Sequence, residues 1–393
     1  MPGWLVLMGA LAALGPVAID MYLPAFGAIA HDLHTSQGMV ERTLASYLLG
    51  LAAAQLIYGP LADRYGRKLP LLAGLALFTI ASLACALSND IDHLLSWRIM
   101  QAFGGAAGMV VPRAVIRDHL DTREAAQALS LLMLVMGVMP ILAPLLGGQA
   151  VTLGSWRTVF YLMALAGAGL WLTVLRNMHE SLPAGNRTPL AISTIAANFR
   201  LLLAHRGFMG YTLAGGLGSA GMFAYISGSP LVFIHIYGID PRWFGLLFGL
   251  NAASLILAAQ LSARLLNRYR PLELLARSQA TLVLMTAAAL ILTLAGWINL
   301  PLLMLCLMGF MASQGFVGPN AAALALAEQG PRLGTASALM GSLQMFCGAL
   351  AGFVVSLWHT DNPLSLTAVL AACAALSWLS GRMAMGHTTR CAS

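Results

Sequence analysis

Charge is scarce in this chain: Asp, Glu, Lys and Arg make up 9% of 393 residues, where an ordinary globular domain carries roughly a quarter. With 59% of residues hydrophobic and a mean hydropathy of +0.80, no folded core could hide the apolar surface, so a soluble protein is excluded and the surrounding medium must be lipid. Cysteine is sparse and unpaired in pattern. Cys85, Cys306, Cys347, Cys373 and Cys391 are scattered, with no Cys-x-x-Cys, which argues against a disulfide frame or a metal cluster. No Gly-x-x-x-x-Gly-Lys-Ser/Thr loop occurs, so ATP drive within this chain is not expected. No histidine falls at mid-depth of an apolar stretch, since His235 and His359 lie near outer ends, and a histidine proton relay is set aside. The net charge of +7 comes without a basic run, so nucleic acid is not an expected partner. The first apolar stretch, Trp4–Phe26, has no basic region before it and exceeds a signal-peptide core, so it reads as a retained helix.

What the chain does have is long apolar stretches. At about 20 residues per crossing they read as twelve spans: 4–28, 40–59, 69–88, 93–116, 126–149, 158–176, 208–236, 243–265, 272–296, 301–327, 333–358 and 363–382. Basic residues alternate in density between the sides. Sixteen of the 21 Lys and Arg fall on one side and only Arg42, Arg157 and Arg242 on the other, with Arg98 and Arg113 inside span 4. By the positive-inside rule both termini are expected in the cytoplasm. The longest loop carries Pro183, Gly185, Asn186 and Pro189, then a short amphipathic piece, Ile192–Ala204, that could lie on the membrane surface. The expected organisation is a six-helix half at 1–176, a cytoplasmic linker at 177–207, and a second six-helix half at 208–393 with a short tail. Gly108-Met-Val-Val-Pro112 in span 4 is echoed by Gly315-Phe-Val-Gly-Pro319 in span 10, and Pro24 by Pro230. A repeated half places a site near the membrane midplane.

The charge that is present is concentrated. Gly59-Pro-Leu-Ala-Asp63-Arg64-Tyr-Gly66-Arg67-Lys68 sits between spans 2 and 3. Gly59 and Gly66 are expected to allow a tight reversal, and Asp63 and Arg67, four apart, to lie side by side. Inside span 1, Asp20 stands in Gly15-Pro-Val-Ala-Ile-Asp20-Met-Tyr22-Leu-Pro24. It is roughly 24 Å along from Trp4 at 1.5 Å per residue, in the outer half of a core about 30 Å thick. An intramembrane carboxyl is costly and marks a functional site. Sheltered from water, it can carry a proton and release it when its surroundings change. Arg98, roughly 9 Å down span 4, overlaps that depth and is the expected partner. Span 5 holds Pro140, Pro144, Gly147 and Gly148. Its prolines each remove a helix hydrogen bond, and its small residues permit close approach of a neighbour. Tyr22, Tyr47, Gln55, Phe223, Tyr225, Asn251 and Gln344 are polar or aromatic residues within spans, candidates for a substrate pocket or for bridging helices.

These strings carry a resemblance. The 59–68 loop resembles the helix 2–3 signature of the major facilitator superfamily, Gly-x-x-x-Asp-Arg-x-Gly-Arg-Arg/Lys, with every key position filled. Arg98-Ile-Met-Gln101-Ala resembles the span 4 motif Arg-x-x-Gln-Gly, linked to proton-coupled members, with Ala102 for Gly. Ala143-Pro-Leu-Leu-Gly-Gly148 resembles the antiporter motif, with Ala143 for its first Gly. Together with Ile19-Asp20-Met-Tyr22-Leu-Pro24 and Ser155-Trp156-Arg157-x-x-Phe160, they look like the bicyclomycin- and chloramphenicol-resistance group of drug–proton antiporters. The resemblance implies an all-α integral membrane protein with two pseudo-symmetric six-helix halves. It further implies alternating access in a bacterial inner membrane, a small and largely apolar drug-like substrate, exchange against protons, no cofactor beyond the proton gradient, no enzymatic activity, and a monomer. Asp63, Arg67 and Asp118 would latch the outward-open state, with Asp63 facing the start of span 11 near Gly334. The second-half counterpart, Ser262 to Arg268, lacks the acid. A native small metabolite, an amino acid or a sugar, stays open as the cargo.

Overall fold

The computed structural model describes residues 3–391 except 184, 186, 188–191, 328 and 359. Asn186, Pro189 and His359 therefore lie outside the described residues. Those described carry no strand. Helices α1 (Gly3–Asp20) and α2 (Phe26–Asp32) form the first span, broken between them. Then come α3 (Gln37–Tyr65), α4 (Lys68–Ala86), α5 (Ile91–His119), α6 (Thr122–Leu153) and α7 (Trp156–Asn177). The short α8 (Ile192–Ala204) precedes α9 (Arg206–Pro230), α10 (Pro241–Leu265), α11 (Pro271–Leu294), α12 (Leu300–Leu326), α13 (Leu333–Leu357) and α14 (Leu364–Cys391). Twelve spans among the described residues are long and apolar enough to cross a membrane.

Polar residues start these helices where the apolar runs begin. Ser36, Asp90 and Asn299 each accept a backbone N–H three residues on, from Met39, His93 and Leu302 at 3.3, 2.8 and 3.0 Å, which satisfies donors a helix start leaves orphaned. Large apolar side chains such as Leu153, Leu165 and Leu257 stay exposed, a surface that water would not tolerate at this extent and lipid does.

The chain forms two compact units, residues 1–191 with 241–246 and residues 192–240 with 247–393. In the first, α1 packs on α5 and α6, and α4 on α5 and α7. In the second, α9 packs on α12 and α13, and α11 on α12 and α14. First-with-fourth-and-fifth and third-with-fourth-and-sixth thus recur, the packing form of the internal repeat. The prolines paired by sequence mark matching irregularities. A 3-10 segment, Leu23–Ala25, surrounds Pro24, and a π-helical segment, Leu231–Ile236, follows Pro230.

Two expectations need correction here. The first span is not one helix over 4–28, because it breaks after Asp20. Gly59 is not part of the reversal either. It lies inside α3, which continues through Pro60 to Tyr65, and a Cβ there would meet nothing. Gly66, at φ +90°, makes the turn, in a region L side chains rarely enter.

Candidate functional site

Pro24 explains where α1 ends. Its missing N–H is the donor that the carbonyl of Asp20, four residues back, would need, and its ring crowds that same carbonyl. The helix stops at Asp20, which is 2% exposed and whose Oδ1 has no hydrogen-bond partner. The break also leaves carbonyls at the end of α1 without helical donors. Arg98 of α5, fully buried, donates through Nη2 to one of them, Ala18, at 3.0 Å, and through Nη1 to Gln101 Oε1 at 2.5 Å. A cation there also complements the negative end of the helix dipole. Gln101 in turn donates to Ser82 at 2.7 Å.

Aromatic rings complete the guanidinium's surroundings. Its carbon lies 4.2 Å from the ring centres of both Tyr22 and Tyr47 and 5.8 Å from that of Phe160, an arrangement worth about 2 kcal/mol when desolvated. The Tyr22 hydroxyl meets Thr43 at 3.2 Å, and Thr43 donates to the Val40 carbonyl at 2.6 Å. The expected direct pairing of Asp20 with Arg98 is absent: among the described residues no ion pair joins them. Arg98 is committed instead to the Ala18 backbone carbonyl and to Gln101.

Span 5 meets the same break. Ala143, Pro144, Gly147 and Gly148 are buried in α6, which runs as helix through both Pro140 and Pro144. A Cβ on Gly147 would run into the carbonyl of Met21, the residue after Asp20. The glycine lets α6 approach the backbone at the point where span 1 loses its helix.

At the other end of this unit, Arg67 bridges two acids. Its Nη1 reaches Asp63 Oδ1 at 2.6 Å, and its Nε reaches Asp118 Oδ2 at 2.9 Å. Arg64 stands apart, 5.3 Å over the ring of Tyr65. Two residues after α7 join this cluster and were not among the sequence candidates. Glu180 accepts the backbone N–H of Arg67 at 2.7 Å and of Lys68 at 3.1 Å, and Ser181 donates to Asp118 at 2.9 Å. Lys68 Nζ closes the ring on the Leu175 carbonyl at 3.0 Å. Glu180 packs so closely under Gly66 that any Cβ there would collide with its carboxylate.

Burial pushes the Glu180 carboxyl up, but the N–H groups of Arg67, Leu182 and Lys68, with Arg187 nearby, outweigh it and hold the carboxyl below the usual glutamate range. A depressed folded value means that the clamp's contribution is complete above the unfolded value and is lost as pH falls through the folded one. Glu180 is therefore a fixed anion at neutral pH. Glu180→Gln turns one accepting oxygen into a donor facing an N–H. It is expected to cost about 1 kcal/mol, read as a lower melting temperature in detergent at pH 7 that converges on wild type at acid pH. Equal melting at pH 7 would contradict the clamp.

Other candidates fall into separate groups. In the first unit Gln55 is half-buried in α3. In the second, Asn251 donates to the Tyr225 hydroxyl at 3.1 Å, and Tyr225 stacks on Phe248 with ring centres 5.3 Å apart. Phe223 is buried against Gly348, and Gln344 donates to Ser219 at 2.6 Å. The Ser155-Trp156-Arg157 string forms a clasp: Trp156 donates to Asp32 at 2.9 Å, and Arg157 pairs with the same carboxylate and reaches the Ser88 carbonyl at 3.2 Å. Glu41, wholly buried in α3, was also not among the candidates, although an acid one residue inside an apolar stretch is a readable signal.

Comparison with known proteins bears on all of this. The family model described as Major Facilitator Superfamily matches residues 8–352. The chain is 38% identical over 358 residues to YdgK of Bacillus subtilis (strain 168), an uncharacterized MFS-type transporter, covering 90% of this chain and 88% of that one. It is 30% identical to the bicyclomycin resistance protein homolog of Haemophilus influenzae (96% and 94% covered). It is 32% identical to multidrug resistance protein MdtL of Escherichia coli O157:H7 (96% and 95%). Among solved structures, a D-xylose–proton symporter superposes with a TM-score of 0.72 over 95% of this chain and 97% of that one at 14% identity, a likeness of fold alone. Twelve apolar helices among the described residues, the repeated packing, the filled loop signature and a family match over most of the chain make this protein a member of the Major Facilitator Superfamily, related to its bicyclomycin- and multidrug-resistance group, and hence a multi-pass membrane transporter.

Proposed function

We propose that this chain is a proton-coupled drug efflux antiporter of a bacterial inner membrane, working as a monomer by alternating access with both termini cytoplasmic. The observation that carries the reading is Asp20: a carboxyl 2% exposed, with an unpartnered oxygen, at a helix break. A buried ionised carboxylate without a partner is expensive, so the group holds a proton in this environment and gives it up when water or a cation reaches it. Arg98 lies on the neighbouring carbonyl of the same helix end. A shift of that end by part of a helical turn exchanges its carbonyl partner for the carboxylate, a two-state element of the kind coupling requires. The cargo is a small, largely apolar drug-like compound. The relatives named for bicyclomycin and multidrug resistance support that class.

Asp63, Arg67 and Asp118 are proposed as the latch of one state, with Glu180 and Ser181 as its base. The test is a drug-susceptibility panel in an efflux-deficient bacterial host, with and without the gene. The reading expects raised tolerance to several chemically distinct apolar drugs. Unchanged tolerance across the panel, with transport of an amino acid or sugar by the purified protein, would assign the cargo to native metabolites instead.

A further inference from the structure

The two units differ in the chemistry they bury. Among the described residues the buried charged side chains are Asp20, Glu41, Arg67 and Arg98, all in the first unit. Buried polar residues of the second are neutral without exception among those described: Asn, Gln, Ser and Thr. Several are satisfied on their own helix. Ser278, Thr286, Thr293 and Ser313 each donate to a carbonyl one turn back, at 2.7 to 2.9 Å. Thr212 and Ser227 of α9 do not: they are 2% and 0% exposed, and neither hydroxyl has a partner; of the two, Thr212 faces a cavity.

Thr212 lines a cavity of about 40 Å³ with Gly215, Ser219, Gly318, Met340 and Gln344, contributed by α9, α12 and α13. Ser219 is held from two sides. Its oxygen accepts the Gln344 amide at 2.6 Å and the Gln314 amide at 3.0 Å. With both acceptor positions used, its own O–H remains to be given away, as does that of Thr212. The walls made by Gly215, Gly318, Met340 and Gln344 are only partly buried, so the cavity opens on the surface of this unit. A water needs roughly 10–15 Å³ of such space and two to four polar partners.

We propose that this niche is a subsite for a single hydroxyl group of a neutral substrate, filled by water when the substrate is absent. It rests on the efflux reading above and narrows its cargo to uncharged compounds bearing a primary hydroxyl, CH2–OH. Two hydroxyl donors face an oxygen that accepts from them, and no charged side chain lines the cavity to select an ion. A hydroxyl and its CH2 carbon fit within a niche of about 40 Å³.

A matched pair of drugs tests this. Thiamphenicol and florfenicol differ at one primary hydroxyl, which fluorine replaces in the second; both keep a benzylic hydroxyl on a more crowded carbon. Transport of both is measured in proteoliposomes holding the full chain under an imposed pH gradient, for wild type, Thr212→Val and Ser219→Ala. Thr212→Val keeps the side chain's shape and removes only its donor. For thiamphenicol it is expected to raise KM about tenfold, the worth of one hydrogen bond to an otherwise unpaired group. Florfenicol KM should stay within about twofold, and the proton-to-drug ratio should not change. Ser219→Ala should act in the same direction. Its melting temperature, followed alongside, separates misfolding from lost recognition. Equal KM changes for the two drugs, no change for either, or transport of neither by wild type would each overturn the proposal. Transport of other drugs with neither of this pair accepted would leave the efflux reading intact while removing the niche. Protection against no drug at all would remove both.

Discussion

Asn in place of Asp20 is expected to abolish drug accumulation against a gradient while leaving the protein inserted, folded and at wild-type abundance. The expectation of intact folding comes from burial. An amide of the same shape in a site where the carboxyl oxygen has no partner avoids the cost of a buried charge. The expectation of lost pumping comes from the same group: Asn cannot carry a proton. One charge moved through 100 mV supplies about 2.3 kcal/mol, on the order of 50-fold accumulation. In the variant the ratio of internal to external drug in inverted vesicles should fall to about one, while exchange of labelled for unlabelled drug persists. Accumulation at wild-type levels would refute the role of Asp20.

Lysine in place of Arg98 is expected to lose both stability and transport. The charge is conserved, but the planar fork that reaches Ala18 and Gln101 at once is not. The stack between Tyr22 and Tyr47 is weakened with it. A compact ammonium cannot fill that slot, and Gln101 is left with a buried unsatisfied oxygen. The loss is about 2–4 kcal/mol, seen as a lower melting temperature in detergent, with transport down by about tenfold or more. A variant that melts and transports like wild type would show that the cage is packing around a charge that any cation could provide.

The spans were legible because lipid demands long apolar runs, and a bilayer tolerates little else. The loop at 59–68 was legible for the opposite reason, as charge stands out where charge is rare. Position along a helix was harder. Asp20 and Arg98 were matched by depth, and depth says nothing about which face of a helix a residue occupies. The structure gives Arg98 to the Ala18 carbonyl, one of those that lose their helical donors where α1 ends. The break itself, though not the residue that exploits it, is readable from the four-residue spacing between Asp20 and Pro24. A glycine in a motif looks like a turn in sequence, yet at Gly59 α3 continues past it. Glu180 sits in a polar segment where acids are ordinary, and only folding brings it under Gly66. The niche around Thr212 was the least legible. Its hydroxyls and amides come from three helices spread over more than 130 residues. Taken singly, each looks like any small polar residue in a membrane helix.

Proton-coupled efflux requires Asp20 to give up a proton when substrate arrives, and proton release measures that directly. Purified protein in weakly buffered detergent solution, with a pH-sensitive dye, receives a drug identified by the susceptibility panel. Wild type should release on the order of one proton per protein, and Asp20→Asn none, although both bind the drug. Equal release from both proteins, or no release from wild type on binding, would contradict the central claim.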